Sequence, residues 1–309
     1  MTFAPTQTFG KYEFLSIIDK PKAGVTYKVR NRATSQLEVL RALPGVANTD
    51  PESVERFLRE IRVHTRLLHP NVVAFHDAFE LDGQLVMTSE FVTGETLGDA
   101  SHRGSLPLAE AIRAICAVLS GLEEAHALGI VHRGITAEHV TLTLDGGVKL
   151  GGFGLAKPMS DVNLTQTGAI LGDPTYISPE QVTGATTDAR SDLYSVGVLL
   201  YLALTGVAPF RGPNEFDVMA AHLDHAPQPP SHVNSAIPVE LDRIVETALA
   251  KRPDQRYPSA AVFRKALEGA LERLPQPEPA ARPRSRKKLW AAGAAVAIVL
   301  IVILFVAMH

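Results

Sequence analysis

The feature that most constrains this chain is a single change of hydrophobic period. Residues 12 to 43 hold three short apolar runs, Tyr12 to Ile18, Val25 to Arg30 and Leu37 to Leu43, divided by turn-rich stretches at 19–24 and 31–35. They predict a small antiparallel sheet. A helix is predicted from Asp50-Pro51, because proline suits a first helical position and Val54, Phe57, Leu58 and Ile61 recur at i, i+3, i+4 and i+7. Two more strands, Val72 to Phe79 and Gln84 to Val92, flank the hairpin-turn pair Asp82-Gly83. From Leu108 the period is helical, with segments at 108–128, 191–205, 214–224, 239–250 and 259–273. Strands first and helices afterwards predict an α+β chain. After an extension at 1–10, residues 11–91 form a β-rich N-lobe and 92–274 a larger helical C-lobe.

With 309 residues and 46% hydrophobic content, the chain can bury a core over most of its length. A net charge of −3 creates no global field, so nucleic acid is not an expected partner. The lone cysteine, Cys116, has no internal disulfide partner and shares an apolar helix face with Ile112, Ile115 and Leu119, a buried packing position. Met1 to Pro5 lack the basic start and apolar run of a secretory signal, so the bulk of the chain is expected in the cytoplasm. The other end differs. Four prolines between Pro275 and Pro283 read as an extended spacer, and Arg282, Arg284, Arg286, Lys287 and Lys288 make the rest of 275–288 basic. Residues 289–308 carry no charge, and about 20 residues rising about 1.5 Å each span the roughly 30 Å of bilayer hydrocarbon. A single transmembrane helix is predicted there. Its basic flank stays on the cytoplasmic side, which makes a C-terminal tail anchor in an inner or plasma membrane. Gly293 and Ala297 give the small-xxx-small spacing that suits helix pairing, so a homo-oligomer is one expected partner.

His132-Arg133-Gly134-Ile135-Thr136-Ala137-Glu138-His139 and Gly152-Phe153-Gly154 resemble the catalytic loop H-R-D-L-x-x-x-N and the metal-binding D-F-G of a protein kinase, with the reactive residues replaced. Other landmarks follow in the family's order. They are Phe57-Leu58-Arg59-Glu60, His69-Pro70-Asn71, the hinge-like Ser89-Glu90-Phe91-Val92, Ser178-Pro179-Glu180 in place of A-P-E, and Asp188 to Gly197. From about Gly10 to Leu274 the chain is similar to the bacterial eukaryotic-like (Hanks-type) Ser/Thr protein kinases. The resemblance implies a bilobal kinase-like fold, here with a transmembrane helix appended. It also implies that Glu180 pairs with Arg256, that Asp192 steadies the catalytic-loop backbone, and that His132 and Phe153, with His64, Phe75 and Asp192, form a stack of side chains linking the lobes.

The chemistry is where this chain departs from the family. The stretch Asp19-Lys20-Pro21-Lys22-Ala23-Gly24 keeps one of three phosphate-cradling glycines, and it adds a carboxylate and a proline that lacks an N–H. Arg41 stands for the nucleotide-binding lysine. It is expected to pair with Glu60, but a planar guanidinium does not replace a point ammonium. Val39 replaces the alanine above the adenine slot, and Thr141 an apolar residue below it. Gly134 occupies the base position, while Gly152 and His139 occupy those of the two Mg²⁺ ligands, which need hard oxygens. No metal, no cofactor and no catalytic residue is therefore expected. Asp173 is a candidate substitute base. Arg133 is kept as a phosphate reader, and Thr165 and Thr167 are candidate phospho-acceptors for a separate kinase.

The expected function is a membrane-anchored pseudokinase that scaffolds or regulates other protein kinases or their substrates. Two readings stand beside it: an active membrane Ser/Thr kinase using ATP and Mg²⁺, and a metal-independent nucleotide sensor.

Overall fold

The structure is a computed structural model and describes residues 7–19, 24–43, 51–158 and 172–274. Lys20 to Ala23, Thr165, Thr167, the spacer beyond Leu274 and the predicted transmembrane helix lie outside the described residues.

Alternating burial builds the N-lobe sheet from β1 (Thr8–Phe9), β2 (Tyr12–Asp19), β3 (Val25–Asn31) and β4 (Leu37–Ala42). The helix α1 (Pro51–His64) follows, then β5 (Phe75–Leu81) and β6 (Gln84–Glu90). The strand order is β1-β2-β3-β4-β6-β5, all antiparallel. This is one strand more than the five expected, because Thr8–Phe9 pairs with Tyr12–Glu13 and draws part of the predicted extension into the sheet. The fourth expected strand begins at Phe75 rather than Val72, since the chain at 71–73 turns away to bridge Leu150, whose N–H donates to the Asn71 carbonyl and whose carbonyl accepts the Val73 N–H. Asp82 and Gly83 both hold positive φ, 50° and 70°, the mirror-image turn that suits the twist of a two-residue hairpin. Tyr12, Phe14, Tyr27, Val29, Leu40 and Val86 form one core cluster of the sheet, and Leu43, Phe57 and Met87 a second against α1.

The C-lobe opens with β7 (Gly94–Thr96), α2 (Leu97–His102) and α3 (Leu108–Ala127). Four short strands follow: β8 (Ile130–Val131), β9 (Val140–Thr143), β10 (Val148–Leu150) and β11 (Lys157–Pro158). The pairs β9·β10 and β8·β11 frame the catalytic-loop segment between Val131 and Val140. Then come α4 (Pro179–Val182), α5 (Ala189–Thr205), α6 (Glu215–Asp224), α7 (Pro230–Val233), α8 (Val239–Ala248) and α9 (Ala260–Arg273). Helix α5 is buried on nearly every side, so it is the axis of the lobe rather than an amphipathic surface helix. Asp188 caps its first turn by accepting from the Arg190 N–H at 2.7 Å, and Gly206 at φ 76° ends it. Cys116 is half-buried on α3 rather than fully buried, with its thiol 4.0 Å from the Arg264 carbonyl, and burial pushes its pKa up to about 12. Among the described residues no helix is long and apolar enough to cross a membrane.

Candidate functional site

Two buried acidic anchors hold the loop between β8 and β9. Asp192, near the start of α5, accepts from the backbone N–H of His132 and of Arg133, each at 2.8 Å, and from His126 Nε2 at 2.8 Å. Burial pushes this carboxyl up, but His126 and the loop donors outweigh it and hold the pKa below the usual range. The anchor fixes Arg133 at φ 62°, a left-handed conformation rare outside glycine, and so sets the direction of the loop. Glu180 is the second anchor. It takes both nitrogens of fully buried Arg256 in a fork at 2.7 and 2.8 Å, and the Ser191 hydroxyl at 2.6 Å. Gln181 then donates to the Arg133 carbonyl at 2.9 Å and joins the two anchors.

Rings bridge these anchors to α1. His132 donates from Nε2 to the Gly151 carbonyl at 2.9 Å, accepts the Gly134 N–H at Nδ1, and lies 4.3 Å from Phe153, centroid to centroid. Phe153 meets His64 of α1 edge-on at 5.4 Å. Burial lowers both histidines to about 4, so both are neutral near pH 7. Phe75 packs against the Leu43, Phe57 and Met87 cluster.

Between β4, α1 and the loop lies an open cleft in two parts of about 420 Å³ each, with Thr26, Arg41, Glu60, His139 and Gly152 lining both. Its slot side is walled by Ile18, Val39, Val73, Met87, Phe91, Val92 and Thr141. Arg41 reaches both oxygens of Glu60 with one nitrogen, at 2.7 and 2.6 Å. Burial raises the Glu60 pKa, and this single-nitrogen contact does not offset it. His139 donates from Nδ1 to the Gly134 carbonyl at 2.7 Å, and burial is the main cause that lowers its pKa. Gly152 sits at φ 78°, and a Cβ placed there would lie 2.3 to 2.5 Å from three atoms of the His139 ring. Asp173 is exposed; its carboxylate accepts the Thr175 N–H at 2.8 Å and shares a small recess with Arg133 and Gly134.

The donor set decides what the cleft can hold. Mg²⁺ takes hard oxygen ligands, whereas the two positions that would supply them offer a glycine and an imidazole already donating to a carbonyl. Among the described residues no group of three His, Cys, Asp or Glu side chains comes together as a metal site. The residues at those two positions do not fit Mg²⁺.

Two arrangements escaped sequence reasoning. His126 lies 66 residues from the carboxylate it supports. His222, buried on α6, joins the Tyr194 hydroxyl at 2.8 Å to the Thr175 carbonyl at 3.1 Å. Neither has a local spacing signal; both are set by which helices pack together.

A sheet-rich lobe, a helical lobe, a lobe-linking ring stack and a loop pinned by a buried aspartate define a bilobal protein kinase fold. Residues 12–267 match the protein kinase domain pattern, and the chain belongs to that family, within its bacterial Hanks-type Ser/Thr branch. It is 39% identical over 269 residues to the serine/threonine-protein kinase PknB of Mycobacterium leprae, covering 85% of this chain and 43% of that protein. A probable serine/threonine-protein kinase of Clostridium perfringens is 34% identical over 265 residues, covering 85% and 38%. The crystal structure of the Mycobacterium tuberculosis PknI kinase domain aligns with a TM-score of 0.66 at 26% identity, covering 87% of this chain and 99% of that one. The chain thus spans about two fifths of the length of these curated relatives.

Proposed function

We propose that this chain is a kinase-fold regulator without phosphotransfer of its own, a pseudokinase held at a membrane by the helix at 289–308 with its folded domain on the cytoplasmic side. The observation that carries this reading is the donor set of the cleft: Gly134, His139 and Gly152 stand where base and metal ligands act, and Asp173 is occupied in capping its own turn. Loss of a general base alone costs about 10²–10⁴ in rate. Without metal ligands as well, little remains to stabilise charge on a transferring phosphoryl group. Meanwhile the Asp192 and Glu180 anchors and the ring stack keep the scaffold in shape for binding. Its partners in this proposal are other protein kinases or their substrates, or a second copy, and not nucleic acid. A separate kinase would modify Thr165 or Thr167, and Arg133 would receive the phosphate.

Radiolabelled ATP with Mg²⁺ or Mn²⁺ tests the reading on the full chain in detergent. No label transfer to a generic basic protein or to itself is expected, and transfer abolished by Asp173→Asn would establish the active-kinase reading in its place. That rival is favoured by the relatives, which are named as kinases. The formed Arg41–Glu60 pair and the open slot favour a further reading, metal-independent nucleotide binding. A rise in Tm with ATP in EDTA, undiminished relative to ATP with Mg²⁺, would support it.

A further inference from the structure

The two metal-position replacements are in contact with each other. A Cβ on Gly152 would fall 2.3 Å from His139 Cγ, 2.4 Å from Cδ2 and 2.5 Å from Nδ1, closer than non-bonded carbon atoms approach. The nearest of these atoms is the first of the ring, so no rotation about the Cβ–Cγ bond moves it. Turning the side chain about Cα–Cβ would carry it away, but would also break the 2.7 Å bond from Nδ1 to the Gly134 carbonyl. Gly151, one residue before, bonds the His139 carbonyl through its own N–H at 2.8 Å, which ties the two segments together at this point.

We infer that His139 and Gly152 are an interlocked pair: the imidazole occupies the space in which any side chain at 152 must begin, so a metal-binding acid at 152 is excluded while His139 is present. The loss of the two ligand positions is then one coupled change rather than two separate ones, and restoring the acid requires replacing both residues. This deepens the non-catalytic reading, on which its meaning rests, but it is tested by stability and not by phosphotransfer, so the two fail separately.

The experiment is a double-mutant cycle by thermal unfolding of the full chain in detergent, with Gly152→Ala, His139→Ala and the double variant. Gly129→Ala supplies the baseline, because Gly129 has φ 71° and open space around its missing Cβ, so that variant reports backbone strain alone. Gly129→Ala is expected to lower Tm by about 4 °C, and Gly152→Ala by about 10 °C. With Ala at 139, adding Gly152→Ala should cost only the baseline. Failure of Gly152→Ala to fold while the double variant folds supports the pair equally. An equal cost of Gly152→Ala in both backgrounds overturns it. If neither variant folds, imidazole ¹⁵N spectra of the unmodified protein decide. A proton on His139 Nδ1, with Nε2 bare, upholds the geometry, and a proton on Nε2 alone removes the bond that holds the ring in place.

Discussion

Arg256 and Arg41 each pair with a buried glutamate, yet the two carboxyls respond in opposite directions. Arg256 meets Glu180 with a fork of two nitrogens, and Ser191 adds a third donor, so these interactions overcome a burial effect that by itself raises the pKa, and hold it low. Arg41 meets Glu60 with one nitrogen, and there burial prevails. Arg256→Ala should therefore cost about 3–5 kcal/mol, because it leaves a buried carboxylate unpaired. Glu60→Gln should cost under about 1 kcal/mol, since it removes a charge that burial already disfavours and keeps an oxygen for Arg41. Urea unfolding of both variants checks the contrast. The Glu180 pair contributes its stability above the unfolded carboxyl pKa of about 4.3 and loses it as pH falls through the lower folded value. At this scale the identities of the replaced positions were legible in the sequence. That the ring of one replacement fills the space beside the other was not, because it depends on a side-chain rotamer.

Helices α5 and α8 approach so closely at Gly197 that a Cβ there would meet the Ala248 Cβ at 2.8 Å and a Leu249 methyl at 3.1 Å. Gly197→Leu should destabilise by about 3 kcal/mol through overpacking. Gly197→Ala should also destabilise, by about 1 kcal/mol, because the new methyl meets the Ala248 Cβ, which no side-chain rotation moves, and a gain of about 1 kcal/mol in helix propensity offsets only part of that cost. Thermal melts of the two variants measure the difference. Long elements such as α1, α3, α5 and α9 were legible within a few residues because each repeats its apolar period several times. The strands β7 to β11 were not. Elements of two to four residues complete too few alternations to show a period, and they exist because a partner strand from elsewhere in the chain is adjacent.

Over the whole folded region, three buried histidines set the acid limit of stability. His64, His132 and His222 are each lowered to about 4, burial being the largest cause in every case. A folded pKa below the unfolded value of about 6.5 means that the unfolded chain binds the proton more tightly. The neutral histidines thus stabilise fully above about pH 6.5, and this is lost as pH falls toward 4. At about 3 kcal/mol each, their combined loss is comparable to the 5–15 kcal/mol that holds a domain together. The urea midpoint should fall steeply between pH 6.5 and 4.5; a flat profile would contradict these buried positions. The order of the long elements, the division into lobes and the departure of Gly134, His139 and Gly152 from the kinase pattern were determined by the sequence alone, because periodicity and residue chemistry are local. Tertiary structure decided the rest: the His126 and His222 supports, the different character of the two arginine pairs, and the interlock of His139 with Gly152. Each depends on distances between residues remote in the chain, which packing alone sets.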